Sequence, residues 1–198
     1  GKRNVTRHAN IFAILFDIAD KQKQEKILKN VLENDEIPAI TTPYFNFFEL
    51  DVLCQMGKLT EVLDKIRSYW GGMLDLGAVT FWEEYDPSVP KEEQYDMYGD
   101  HFGKSLCHAW AASPIYFLAK YFAGLDLVNK DGVTYILKPQ MQYFTELDCT
   151  LPVGSKGVVR LVWDGEILEI TPNADGGILE LGEQKLSLVR GETRRVKI

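Results

Sequence analysis

The sequence predicts an α-then-β fold, a run of helices followed by a small antiparallel β-sandwich. Apolar residues recur at helical spacing up to about Leu125, and from Gly132 onward the period changes to two. The second stretch also carries strong turn signals, above all Asp164-Gly165 between two apolar alternations. On this reading residues 1–125 are helical and residues 126–198 form the β-domain.

The first helix is expected within residues 10–19, where Ile11, Ile14, Leu15 and Ile18 make one apolar stripe. Residues 21–33 repeat the theme with Ile27, Leu28, Val31 and Leu32, and Asn34-Asp35 ends it. A third helix starts behind Thr42, a good N-cap followed by proline at the first helical position. It runs to Met56, with Gly57 suited to the residue just past the end. A fourth spans residues 59–70. The fifth opens at Ser113-Pro114 and runs to Phe122, with Gly124 just beyond. Helix pairs with short joins are the pattern of a bundle or toroid.

Strands are expected at residues 133–137, 157–163, 166–171, 176–181, 185–189 and 194–198. Asn173 to Gly177 supplies a further turn. A sheet domain this small is marginal alone.

Composition narrows the function. A 198-residue chain with 45% hydrophobic and 26% charged residues has the make-up of an ordinary globular protein. Its net charge of −7 argues against nucleic-acid or anionic membrane partners, which need a basic face. No apolar run reaches the ~20 residues of a membrane span. The chain opens with polar Gly1-Lys2-Arg3-Asn4 and shows no signal peptide, and its early apolar helix suggests a piece of a longer protein. Cys54, Cys107 and Cys149 lie far apart and are expected to be free, mostly buried thiols. No His, Cys and carboxylate set has metal-ligand spacing, so neither metal nor cofactor is expected.

The connection at residues 71–107 is too long for a bland loop. It interleaves Phe81, Trp82, Tyr85, Tyr95, Tyr98 and Phe102 with acids, and residues 75–100 carry eight carboxylates against one lysine. Aromatic faces suit a sugar ring, while carboxylates accept hydroxyl hydrogen bonds and do acid/base work. A solvated acidic loop with aromatics tucked beneath it would look the same.

Four blocks resemble glycoside hydrolase family 78, the α-L-rhamnosidases. Gly77-Ala78-Val79-Thr80-Phe81-Trp82-Glu83 is similar to the family's GATTxWE segment. Tyr98-Gly99-Asp100, then Ser105-Leu106-Cys107-His108-Ala109-Trp110 with Pro114 beyond, resembles its SLCHGW element. Thr41-Thr42-Pro43-Tyr44-Phe45 with Phe47 resembles TTPFFxF, and Arg7 with Ala9-Asn10 resembles RxAN. The blocks occur in the family's order across residues 7–125. The β-half agrees more loosely, through Lys138-Pro139 and Thr150-Leu151-Pro152-Val153-Gly154.

The resemblance implies the end of an (α/α)6 catalytic barrel followed by a C-terminal β-sandwich, in an inverting enzyme that releases terminal α-L-rhamnose. The upstream half of the barrel, with the general acid, would lie outside this chain, so the piece alone is expected to be inactive. Inversion needs an acid and a base carboxylate ~6.5–9.5 Å apart. The motif matches the base to Glu83 and a sugar-binding histidine to His108. Trp82 either stacks on the sugar or shapes the loop from within. Glu83 could instead be a solvent carboxylate or a partner of Arg67, and His108 a satisfied core histidine. The alternative for the whole chain is a non-catalytic carbohydrate-binding or interaction module that keeps the fold.

Overall fold

A computed structural model describes residues 4–130 and 133–198, the side chain of Lys156 excepted. Gly132, where the change of period was expected, lies outside the described residues, as do Gly1, Lys2 and Arg3. The chain divides into two compact units, Gly1–Pro114 and Ile115–Ile198.

The first unit is helical: α1 (Arg7–Leu15), α2 (Lys21–Ile27), α3 (Pro43–Gln55), α4 (Leu59–Lys65) and α5 (Gly71–Asp75). Helix α1 stops short of its expected end. Asp17 takes a left-handed backbone and the Ala19 amide donates to the Ala13 carbonyl, which turns the chain and leaves Ile18 exposed rather than in the stripe. Asp20 caps α2 by accepting a hydrogen bond from the Lys23 amide at 2.9 Å. Thr42 stands at the N-cap of α3 with Pro43 next, as expected, but its side chain makes no capping bond.

Two of these helices continue through wider π-helical turns, Leu28–Leu32 after α2 and Ile66–Trp70 after α4. The second matters for the site, because it leads straight into α5. The fourth helical stretch therefore runs to Asp75 rather than Trp70, and the long connection begins only after it.

Glu49 of α3 is 2% exposed and lies between two cations. Its Oε1 accepts from the Arg7 guanidinium at 3.1 Å and from the Lys65 ammonium. Arg7, itself buried, also donates to the Leu32 carbonyl at 2.8 Å, one of the carbonyls that a helix end leaves without an intrahelical partner. One charge cluster thus joins α1, the end of the α2 stretch, α3 and α4.

The last helix begins as α6 (Ser113–Phe117), whose first two residues fall in the first unit, and continues through a π-helical turn at Leu118–Phe122, with Gly124 just beyond its end. Gly124 has φ 72°, and a Cβ there would meet the Lys138 carbonyl oxygen at 2.1 Å. Two four-stranded sheets follow, in the orders β1-β2-β6-β7 and β3-β4-β5-β8. The strands are β1 (Leu125–Lys130), β2 (Val133–Leu137), β3 (Leu147–Pro152), β4 (Val158–Trp163), β5 (Ile167–Pro172), β6 (Gly177–Leu181), β7 (Gln184–Leu188) and β8 (Arg194–Lys197).

The six expected strands are present within a residue or two, and β1 and β3 are additional. Both are edge strands; β1, with Asp126 and Asn129, lacks a period-two apolar pattern, while β3 alternates Leu147, Cys149 and Leu151 inward with Asp148, Thr150 and Pro152 outward. The sandwich is also not wholly antiparallel. Asp164-Gly165 turns β4 back onto β5 within one sheet, but residues 173–176 carry the chain across to the other sheet, where β6 joins β2 in parallel. Tyr135, Leu137 and Leu179 from one sheet share a core with Val159, Leu161, Trp163, Leu168 and Ile170 from the other. Among the described residues no helix is long and apolar enough to cross a membrane. None of the three cysteines is in a disulfide; Cys54 is buried, but Cys107 is exposed.

Removing one partner from a buried ion cluster leaves its counterpart desolvated and unmatched, which costs about 3–5 kcal/mol. Glu49→Ala should lower unfolding stability by that order in a denaturant titration. Asp148→Ala, which breaks a fully exposed pair with Arg160, should change it far less.

Candidate functional site

The acidic connection is built as two segments laid side by side. The Glu83 amide donates to the Ser105 carbonyl at 2.9 Å, and the His108 amide to the Phe81 carbonyl at 2.8 Å. The Thr80 hydroxyl donates to the Leu106 carbonyl. The two blocks singled out in the sequence, residues 77–83 and 105–110, are therefore neighbours. Both are pinned to the helix below by consecutive residues of its π-helical turn. Tyr69 accepts from the Tyr85 amide at 3.1 Å and donates to the Thr41 carbonyl, while the Trp70 indole donates to the Ala111 carbonyl at 2.8 Å. An extra residue in that turn changes the angular spacing of the helix face, so neighbouring side chains can serve both ends of one loop. Burial holds the Tyr69 phenol well above its ordinary value, so it stays a neutral donor.

Adjacent residues of this loop then take separate roles. Trp82 is 3% exposed and packs against Tyr95 with ring centroids 5.6 Å apart. It fills the space beneath the loop and offers almost no face to a ligand. The exposed indole is Trp110, 55% exposed, whose ring lies 4.2 Å from that of His108 and 5.4 Å from that of Tyr44.

The Glu83 side chain is mostly covered, 12% exposed, by the partners it meets. Its Oε1 accepts from the Tyr98 hydroxyl at 2.7 Å, and its Oε2 from the Ser105 amide at 3.1 Å. Nδ1 of His108 lies 3.9 Å from Oε2. The Tyr98 hydroxyl above all holds Glu83 below the usual carboxylate range; the Ser105 amide, His108 and Lys104 act in the same direction, against burial. Glu84 points elsewhere and accepts from the Thr41 hydroxyl at 2.9 Å. Arg67 is not the partner of Glu83.

Glu83 and His108, the two residues singled out by the motifs, lie side by side; Tyr98 and Lys104, which the sequence assigns no role, also act on Glu83. Tyr98 was visible as part of a Tyr-Gly-Asp string; Lys104 carried no signal at all. Lys104 is buried, which pushes its ammonium down, while Glu84, Asp86, Asp96 and Glu83 pull it up. Among the described residues no group of three or more His, Cys, Asp or Glu is placed to hold a metal ion. Two cavities of the first unit, of about 440 and 220 Å³, include neither Glu83 nor His108 in their linings. The pair is largely covered, with side chains 21% and 12% exposed for His108 and Glu83: an oriented, ionised carboxylate beside an imidazole and the exposed rings of Trp110 and Tyr98 can accept a proton and hold a hydroxylated ring.

Trp82→Ala should cost about 3–5 kcal/mol in denaturant unfolding, since a large buried side chain is lost, with Trp82→Phe costing less. The pH dependence has a definite sign. Because the folded state holds Glu83 down, its contribution to stability is complete above the ordinary glutamate value. That contribution is lost as pH falls through the folded one. Thermal midpoints measured against pH should therefore fall on acidification, and less steeply in Glu83→Gln.

No protein-family model matches the sequence. No curated protein matches it either. Solved structures do. A rhamnosidase from Klebsiella oxytoca with rhamnose bound is 34% identical over 60% of this chain and 23% of that one, with a TM-score of 0.53. A family 78 rhamnosidase of Bacillus sp. GL1 is 22% identical over 92% of this chain and 19% of that one, with a TM-score of 0.68. The chain thus spans about a fifth of the length of these enzymes, and the second likeness speaks to the fold alone. Taken with the ordered motifs, the matches make this chain a relative of the glycoside hydrolase family 78 rhamnosidases.

Proposed function

We propose that the chain is a C-terminal part of an inverting α-L-rhamnosidase, and that Glu83 is its general base. The observation that carries this reading is the Glu83 carboxylate itself. It is ionised at neutral pH, gripped at both oxygens and beside His108, in the segment that matches the family's base motif.

In this reading the helices of the first unit belong to an (α/α)6 barrel, and the two sheets are the β-sandwich that follows it. The general acid comes from the part of the barrel that this chain does not contain, so the chain alone does not turn over. Water held between Glu83 and the anomeric carbon gives up a proton to the carboxylate. The resulting oxygen attacks from the face opposite the leaving group, which departs with a proton from the acid; configuration inverts. His108 donates to or orients a sugar hydroxyl, and Trp82 shapes the loop that presents both. A non-catalytic sugar-binding module is the competing reading, and kinetics separates the two.

In the intact protein Glu83→Gln should keep sugar binding while turnover of an aryl α-L-rhamnoside falls by about 10²–10⁴-fold, the usual contribution of a general base. Azide should restore turnover to Glu83→Ala and give a glycosyl azide of inverted configuration. His108→Ala should raise KM. Unchanged turnover in Glu83→Gln, with a large loss in Glu84→Gln, would move the base by one residue. Unchanged turnover in both would remove the base from this loop.

A further inference from the structure

Tyr98 combines three properties that ordinary loop residues do not share. It is 80% exposed, so burial contributes little to holding it in place. Its backbone is left-handed, φ 56°, a conformation that crowds the Cβ of any residue with a side chain. Its hydroxyl is nonetheless committed to one acceptor, Oε1 of Glu83, at 2.7 Å.

The strain comes from a two-residue turn. Met97 and Asp100 exchange backbone hydrogen bonds of 3.0 and 2.9 Å, and the two residues between them, Tyr98 and Gly99, both have positive φ, 56° and 80°. That is the geometry of a type I′ hairpin, which normally favours Asn or Gly at the first central position. Here a tyrosine occupies it, and the turn throws the phenol back over the loop toward Glu83.

A carboxylate anchored at one oxygen still rotates about its terminal bond. Oε2 of Glu83 is held by the Ser105 amide, with His108 3.9 Å away, and both belong to the same loop segment. Tyr98 approaches Oε1 from a different segment and stops that rotation. Lys104, Tyr98 and His108 are the titratable groups that act on Glu83.

We propose that Tyr98 is the positioning residue for the base, locking the Glu83 carboxylate in one orientation from a strained turn built to deliver its hydroxyl. The proposal rests on Glu83 being the base. A proton acceptor aimed in advance at its water avoids reorganisation during the reaction, which is where such a bond acts.

The test has two arms. In this chain, carbon NMR of ¹³C-labelled glutamate, with Glu83 assigned through Glu83→Gln, follows its titration directly. Tyr98→Phe should move the Glu83 midpoint upward. Gly99→Val keeps the hydroxyl but strains the turn, since a Cβ at Gly99 meets open space and only the backbone objects; it should move the midpoint the same way. In the intact protein, Tyr98→Phe should lower kcat on an aryl α-L-rhamnoside about tenfold, what one hydrogen bond to a charged group contributes. KM should stay unchanged, and the acid limb of the kcat profile should move up. A Glu83 midpoint that does not move in Tyr98→Phe overturns the proposal. So does a loss carried by KM with an unmoved acid limb, which would make Tyr98 a sugar contact. If Glu83→Gln keeps full turnover while Tyr98→Phe still shifts the midpoint, the contact stands and the catalytic reading of Glu83 falls.

Discussion

A carboxylate taken out of water is tolerated only where cations meet it, and the first unit is organised around that requirement at Glu49. Arg7 reaches it from α1 and Lys65 from α4, while Arg7 also closes the carbonyl end of the α2 stretch at Leu32. The gain is less in net stability than in register, because the ions match in only one arrangement of the helices. With α4 placed by Lys65, the π-helical turn beyond it is placed too. That turn sets Tyr69 and Trp70, which hold the acidic loop at Tyr85 and Ala111. Four helices aligned by one charge cluster therefore end in the position of Glu83.

Within the loop the chemistry follows from the partners that neighbouring side chains meet. Trp82 is buried against Tyr95, while Glu83 next to it meets the Tyr98 hydroxyl and the Ser105 amide. The buried indole makes the loop rigid enough for the carboxylate beside it to be aimed. Lys104 adds a buried positive charge beneath a run of acids that would otherwise repel one another. An acidic loop with this support is a structured surface rather than a solvated one.

The β-unit illustrates a different economy. Its central strands bury one face each, so Val159, Leu161 and Trp163 or Leu168 and Ile170 alternate cleanly with exposed positions. Its edge strands β1 and β3 have neighbours on one side only and carry Asp126, Asn129, Asp148 and Pro152, which discourage pairing with another chain. The parallel contact of β2 with β6 arises because residues 173–176 change sheets rather than reverse within one.

By itself the sequence determined what depends on local periodicity and short-range turn chemistry. The helical-to-strand order, the five helical segments, six of eight strands and the Asp164-Gly165 turn are all of that kind. The order of the motif blocks, and with it the likeness to the family 78 enzymes, was equally legible. Tertiary structure decided whatever depends on residues far apart in the chain. Ile18 left the core because a left-handed Asp17 ended α1 early, and a parallel strand pair formed because a turn led to a second sheet. Glu83 and Glu84, identical in chemistry and adjacent in sequence, parted company because Tyr98 and Ser105 lie on one side and Thr41 on the other. A side chain's orientation is set by the partners that the fold brings to it, and no pattern within the loop records which those are.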